Sequence, residues 1–134
     1  NVIIALMDPN HVHHRRALSF FPLAQARGWA TCPLVENAFI RIFGHPEYPG
    51  GPGSTEVARK LLAHYCATPG HQFWPDDLSL CDLDRFPALS TPKTLTDLYL
   101  LALAVKQGGA LATLDSRIDA GWVPGGAAAL FQIP

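Results

Sequence analysis

Residues 94–115 read TLTDLYLLALAVKQGGALATLD, and this stretch decides the fold class. Its first part, Thr94–Gln107, is apolar on nearly all helical faces, which predicts a helix buried by more than one neighbour. Gly108-Gly109 ends that helix. Ala110–Leu114 is a continuous apolar run, which is typical of a buried parallel strand. The stretch therefore predicts an α/β domain.

The same alternation of helices and strands extends through the rest of the chain. Predicted strands are short apolar runs beside Gly or Pro, and predicted helices begin after Ser or with Pro. In chain order, the further elements are a helix His11–Gln25 that Pro22 bends or splits, a strand Trp29–Cys32, a helix Pro33–Phe43, a helix from Ser54 to near Thr68, a strand His71–Trp74 and a last strand Ala128–Ile133. Such an alternation predicts a mainly parallel sheet covered by helices on both faces.

The composition favours one soluble domain. The 134 residues are 49% hydrophobic and 16% charged, which suits a single core. A formal charge of −1 excludes a polybasic tail. Any polyanionic partner must therefore bind to a local patch of positive charge. The longest apolar runs fall well below the roughly 20 residues that cross a bilayer. The three cysteines show no Cys-x-x-Cys spacing, which argues against a disulfide framework. We therefore expect the protein to be located in the reducing cytoplasm.

Three acidic residues adjoin predicted strand-to-helix junctions. Glu36 lies near the start of the helix after Trp29–Cys32, Asp97 lies in the first turn of the buried helix, and Asp115 follows Ala110–Leu114. Ligands of α/β sheets gather at the carboxyl ends of the strands. Carboxylates gathered there repel one another unless a divalent cation such as Mg²⁺ or Mn²⁺ neutralises them. The pattern predicts a metal site.

Each acid also has a purely structural interpretation. Thr94 to Asp97 resembles a capping box, Glu36 suits the positive end of a helix dipole, and Asp115 could cap a helix Ser116–Ala120. Spacing alone does not decide between these interpretations and a metal site.

The histidines form no metal or catalytic pattern. His11, His13 and His14 open a surface helix without a Cys or carboxylate at ligand spacing, which favours solvated side chains over zinc binding. The other three stand apart along the chain: His45, His64 and His71. Spacing identifies no Ser or Cys partner for them, so no catalytic triad is predicted.

Four short motifs occur in order over nearly the whole chain. They are Pro33-Leu34-Val35-Glu36-Asn37-Ala38-Phe39-Ile40-Arg41, Phe73-Trp74-Pro75-Asp76-Asp77, Thr96-Asp97-Leu98-Tyr99-Leu100-Leu101-Ala102-Leu103-Ala104 and Leu111-Ala112-Thr113-Leu114-Asp115. Together they resemble the PIN-domain ribonucleases and specifically the VapC-type toxins of bacterial toxin–antitoxin pairs.

The resemblance implies a three-layer α/β/α domain and an endoribonuclease site that binds Mg²⁺ or Mn²⁺ through four acids. Glu36, Asp97 and Asp115 match the second, third and fourth acids, and Thr113 matches the hydroxyl residue that accompanies the last one. The first acid stands two residues before an Asn, which Asn1 matches, so that acid is absent from this sequence. We expect the first strand and its Asp to precede residue 1 in the intact protein.

The resemblance also implies partners. These are an RNA substrate, a cognate VapB-type antitoxin whose C-terminal segment covers the active site, and a second copy of the chain in a homodimer. Candidate contacts to RNA phosphates are Arg41 and Arg117, with Arg15 and Arg16.

Two other functions are compatible with parts of the pattern. The missing acid favours a degenerate PIN module that binds RNA or protein without cleaving, whereas the three retained acids favour the enzyme. A phosphoacceptor domain of receiver type is also α/β and acidic. The order of the acids and the absence of a matching Lys after the last strand argue against it.

Overall fold

The computed structural model describes all 134 residues and divides them into two compact units, Asn1–Asp76 and Asp77–Pro134. The first unit contains α1 (Val2–Met7), α2 (His14–Arg27), β1 (Trp29–Thr31), α3 (Pro33–Phe43), α4 (Thr55–Cys66) and β2 (His71–Phe73). The second contains α5 (Leu95–Lys106), β3 (Leu111–Thr113), a 3₁₀ turn (Ala120–Trp122), α6 (Gly126–Ala129) and β4 (Leu130–Gln132).

Local chemistry accounts for the helix starts in the first unit. Pro33 occupies the first turn of α3, where its missing N–H costs nothing. Cys32 gives no side-chain cap there, and the Asp76 carboxylate instead accepts from the Leu34 N–H at 2.8 Å. The hydroxyl of Ser54 caps α4 by accepting from the Val57 N–H, as the sequence predicts. The helix α2 continues through Pro22, so this residue does not split it.

The first unit is held together by apolar packing and one strand pair. Its core cluster consists of Ile4, Phe39, Phe43, Ala58 and Leu62. The strands β1 and β2 are parallel, with Trp29 opposite His71 and Thr31 opposite Phe73. Gly70 precedes β2 with φ of +87°, and a Cβ there would collide with the Gln25 carbonyl oxygen, so only glycine suits this turn.

The second unit is organised around α5, which is buried on most of its faces as the sequence predicts. Leu98 and Leu101 are fully buried, and Tyr99 stacks on Phe86 with ring centroids 6.3 Å apart. The strand β3 pairs in parallel with β4, which α6 immediately precedes.

The α/β class and the parallel strand pairing are confirmed. The strands form two two-stranded sheets, β1–β2 and β3–β4, and no further strand joins either one. Observed strands are three residues long, one or more shorter than predicted, although the backbone N–H groups of Trp74 and Ile133 still donate to the neighbouring strands. No helix combines the length and apolar character that a membrane crossing requires.

Candidate functional site

Two of the predicted acids, Asp97 and Asp115, lie in the second unit, and the charge of Asp115 acts on Asp97. Asp97 lies in the first turn of α5, and Asp115 lies two residues beyond the end of β3. Burial raises the pKa of Asp97, and the negative charge of Asp115 raises it further. A cation close to Asp97 would stabilise its charged form, which burial and the charge of Asp115 disfavour.

Capping does not explain the position of Asp97. Thr94 is the N-cap residue of α5, but its side chain makes no cap hydrogen bond and instead lies 3.0 Å from the Thr91 hydroxyl. The hydrogen bond to the Thr94 side chain that defines a capping box is therefore absent, and the capping-box interpretation is wrong.

Asp115 is held by its neighbour Arg117. Its Oδ1 accepts from the Arg117 backbone N–H and Nε, both at 2.9 Å, and its Oδ2 accepts from Nη2 at 2.7 Å. These bonds lower the pKa of Asp115 to about 2. The guanidinium of Arg117 is thus engaged with this carboxylate. The expected helix Ser116–Ala120 does not form, and Asp119 caps the 3₁₀ turn instead.

Thr113 supports the turn that carries Asp115. Its side chain is almost completely buried, with 2% exposed, and its hydroxyl accepts from the Asp115 N–H at 3.0 Å. A buried hydroxyl at this point fixes the backbone direction of Asp115 as it leaves β3.

The third predicted acid, Glu36, lies in the first unit, where it takes part in a cluster of polar side chains. The Thr31 hydroxyl donates to Glu36 Oε1 at 2.7 Å and lies 2.8 Å from His71 Nε2. One ligand atom each of Glu36, Cys66 and His71 lies within 4.8 Å of the others. We call these four residues the Thr31 cluster.

Burial shifts the pKa values of two residues of the Thr31 cluster, Cys66 and His71. It raises the pKa of the Cys66 thiol, an effect that the Thr31 hydroxyl opposes and the Glu36 charge reinforces. It lowers the pKa of His71, and the Glu36 charge opposes this shift. Both effects favour the neutral forms of the two side chains.

His71 stands apart along the chain, and no sequence pattern links it to Thr31 or Cys66, but in the structure it is not isolated. Cys66 ends α4 and His71 begins β2, so the pairing of β2 with β1 brings them to Thr31. One signal was available, because Thr31 lies in the predicted strand Trp29–Cys32, five residues before Glu36.

The remaining candidates have separate positions in the first unit. Asn1 caps α1 through its backbone carbonyl, which accepts from Ala5, and its side chain makes no cap bond. Arg41 is exposed in the last turn of α3 and lines an open depression with Asn37 and His45. His14 Nδ1 lies 2.8 Å from the Ala5 carbonyl oxygen, linking α2 to α1.

Comparison with known proteins gives relatives that extend over most of the chain. It is 42% identical over 128 residues to ribonuclease VapC44 of Mycobacterium tuberculosis, covering 93% of this chain and 89% of the relative. It is 38% identical over 123 residues to ribonuclease VapC39 of the same organism, covering 88% and 86%. Ribonuclease VapC38, also from that organism, is 38% identical over 119 residues, covering 88% and 83%.

The other comparisons add no assignment. No protein-family model matches the chain, and no solved structure matches it. The identity and coverage of the relatives are nevertheless high enough to establish kinship. The chain therefore belongs to the VapC family of PIN-domain ribonuclease toxins.

Proposed function

We propose that this chain is a divalent-metal-dependent endoribonuclease that hydrolyses RNA phosphodiester bonds. The observation that carries the proposal is the coupling of Asp97 to Asp115 beside the buried hydroxyl of Thr113. The names of the relatives support RNA as the substrate class.

The carboxylate pair suits Mg²⁺ or Mn²⁺. Carboxylate oxygens are the hard ligands that these ions accept. The pKa of Asp97 is raised first by burial and second by the charge of Asp115, and a nearby cation would offset both effects. Asp97 and Asp115 would hold the ion, and Glu36 is the third acid that the family resemblance implies. A bound ion of this kind lowers the pKa of water and stabilises charge on a phosphate.

The protein's own side chains contribute orientation and charge. Asp115 stays ionised because Arg117 and the backbone donate to both of its oxygens, and Thr113 holds the turn. Arg41 is an exposed cation that can attract RNA phosphates. No protein nucleophile is required, since water attacks the phosphorus.

A cleavage assay with site variants tests the proposal. Asp97→Asn and Asp115→Asn should each abolish Mg²⁺-dependent cleavage of labelled RNA, leaving the circular dichroism spectrum unchanged. The matched control is Asp84→Asn, which removes an exposed acid outside the site. Wild-type rates in either site variant would remove that residue from the mechanism. RNA binding without chelator-sensitive cleavage would identify a non-catalytic PIN module instead.

The family also supports proposals about partners and location. We propose that a cognate VapB-type antitoxin neutralises the chain, that it forms a homodimer, and that it acts in the cytoplasm on cellular RNA. Sedimentation velocity over a range of concentrations tests the dimer, and co-purification with an antitoxin expressed beside it tests the complex. A strictly monomeric species at all concentrations would contradict the dimer.

A further inference from the structure

The Thr31 cluster has donor atoms that the proposed magnesium chemistry does not use. Glu36 contributes a carboxylate oxygen, Cys66 a sulfur and His71 an imidazole nitrogen, all within 4.8 Å of one another. Mg²⁺ strongly prefers oxygen, so sulfur and nitrogen donors suit it poorly. Cys, His and Glu are instead typical ligands of Zn²⁺.

The geometry is compatible with a small tetrahedral ion. Zinc bonds of about 2.0–2.3 Å place neighbouring ligand atoms about 3.3–3.6 Å apart. The three ligand atoms already lie within 4.8 Å, so modest side-chain rotations would bring them to zinc distances. Three protein ligands leave a fourth position for water, as in open zinc sites.

Thr31 orients two of the three ligands before any ion binds. Thr31 is 2% exposed, and its hydroxyl donates to Glu36 Oε1 and accepts from His71 Nε2. These two hydrogen bonds hold the Glu36 carboxylate and the His71 imidazole side by side at the end of β1. The backbone supports the same arrangement, because Thr31 lies in β1 and His71 in its parallel partner β2.

We propose that Glu36, Cys66 and His71 form a Zn²⁺ site whose occupation inhibits RNA cleavage. Zinc binding displaces the thiol proton of Cys66 and forms a metal–sulfur bond. The inhibitory part rests on the proposed function, because it requires Glu36 to serve the nuclease. An ion held through sulfur and nitrogen engages Glu36 and removes it from that role.

Cobalt spectroscopy tests the site without reference to catalysis. Titration of the purified chain with Co²⁺ should produce a thiolate-to-cobalt absorption band in the near ultraviolet, which added Zn²⁺ abolishes. Cys66→Ser should eliminate the band, and His71→Gln should weaken Co²⁺ affinity at least tenfold. Cys81→Ser, at an exposed cysteine, is the matched control and should retain the band.

The outcomes separate the two proposals. Absence of the band in wild type, its persistence in Cys66→Ser, or its loss in Cys81→Ser would overturn the zinc site whatever the nuclease result. Zinc should inhibit RNA cleavage at constant Mg²⁺ in wild type, whereas Cys66→Ser should cleave and resist zinc. If the band is present but zinc has no effect on an active nuclease, the inhibitory role is wrong. A band in a chain that never cleaves RNA would contradict the proposed function and the inhibition, and leave the zinc site supported.

Discussion

At the scale of single residues, Asp115 and Arg117 show how one exposed cation can control a candidate catalytic acid. The Arg117 side chain is 85% exposed, yet its guanidinium and backbone N–H hold the pKa of Asp115 near 2. Arg117→Gln should raise that pKa toward the ordinary value of 3.8, as measured by NMR titration of the carboxyl. Arg59→Gln, which removes a comparable surface pair with Glu56, should leave it unchanged.

The same pair has a predictable pH dependence. Because the folded-state pKa of Asp115 is lowered, its stabilisation is present above about pH 4 and is lost as pH falls toward 2. Exposure limits this contribution to below about 1 kcal/mol at neutral pH. A much larger loss of unfolding free energy in Arg117→Gln would mean that Arg117 also has a structural role.

Asp8 shows a buried carboxylate with a local structural role. It is 5% exposed, and its oxygens accept from the Tyr48 hydroxyl at 2.8 Å and the Asn10 N–H at 2.9 Å. The Tyr48 bond is the main reason that the pKa of Asp8 is lowered. The contribution of Asp8 to the free energy of unfolding is present above about pH 4 and is lost as pH falls through the lowered pKa of Asp8.

Tyr48→Phe removes that donor and leaves one buried oxygen unpaired. We expect the free energy of unfolding at pH 7 to fall by about 1–3 kcal/mol in urea denaturation. The difference from wild type should shrink at pH 3, where Asp8 of the unfolded chain, with its ordinary pKa of 3.8, is mostly protonated. An equal difference at both pH values would contradict the role given to this hydrogen bond.

At the scale of elements, the packing of α5 in the second unit depends on apolar side chains on nearly all of its faces. Leu101 is fully buried, so Leu101→Ala should lower the free energy of unfolding by about 2–5 kcal/mol. Leu61 in α4 is 40% exposed, and the matched change Leu61→Ala should cost less than about 1 kcal/mol. Similar costs in thermal or urea denaturation would show that α5 is not the core of its unit.

At the scale of the whole molecule, the near-zero net charge limits how strongly RNA can be attracted. With a formal charge of −1, binding must rely on local cations, for which the candidates are Arg15, Arg16, Arg41 and Arg117. Four phosphate contacts to single-stranded RNA correspond to a log–log salt slope of about −3 at most.

Fluorescence anisotropy with labelled RNA and the non-cleaving Asp97→Asn variant measures this slope. Affinity should fall as salt rises, and Arg41→Gln should make the slope shallower by about 0.7. Salt-independent binding would exclude phosphate contacts as its basis.

The sequence by itself determined most element positions and the candidate acids. Pro33, Ser54 and Gly108 act through their own backbone or cap hydrogen bonds, so their effects can be predicted from a few neighbouring residues. The apolar character of α5 likewise predicts its burial. The motifs around Glu36, Asp97 and Asp115 indicate the VapC family, which the relatives confirm.

The tertiary structure alone decided which side chains meet. Thr31 and His71 are 40 residues apart, and no local pattern links them until β1 and β2 pair in parallel. Likewise, Leu34 is 42 residues from Asp76, whose carboxylate accepts from its N–H at the start of α3. Periodicity and caps depend on short-range backbone geometry, whereas a shared proton or ion depends on how distant segments pack.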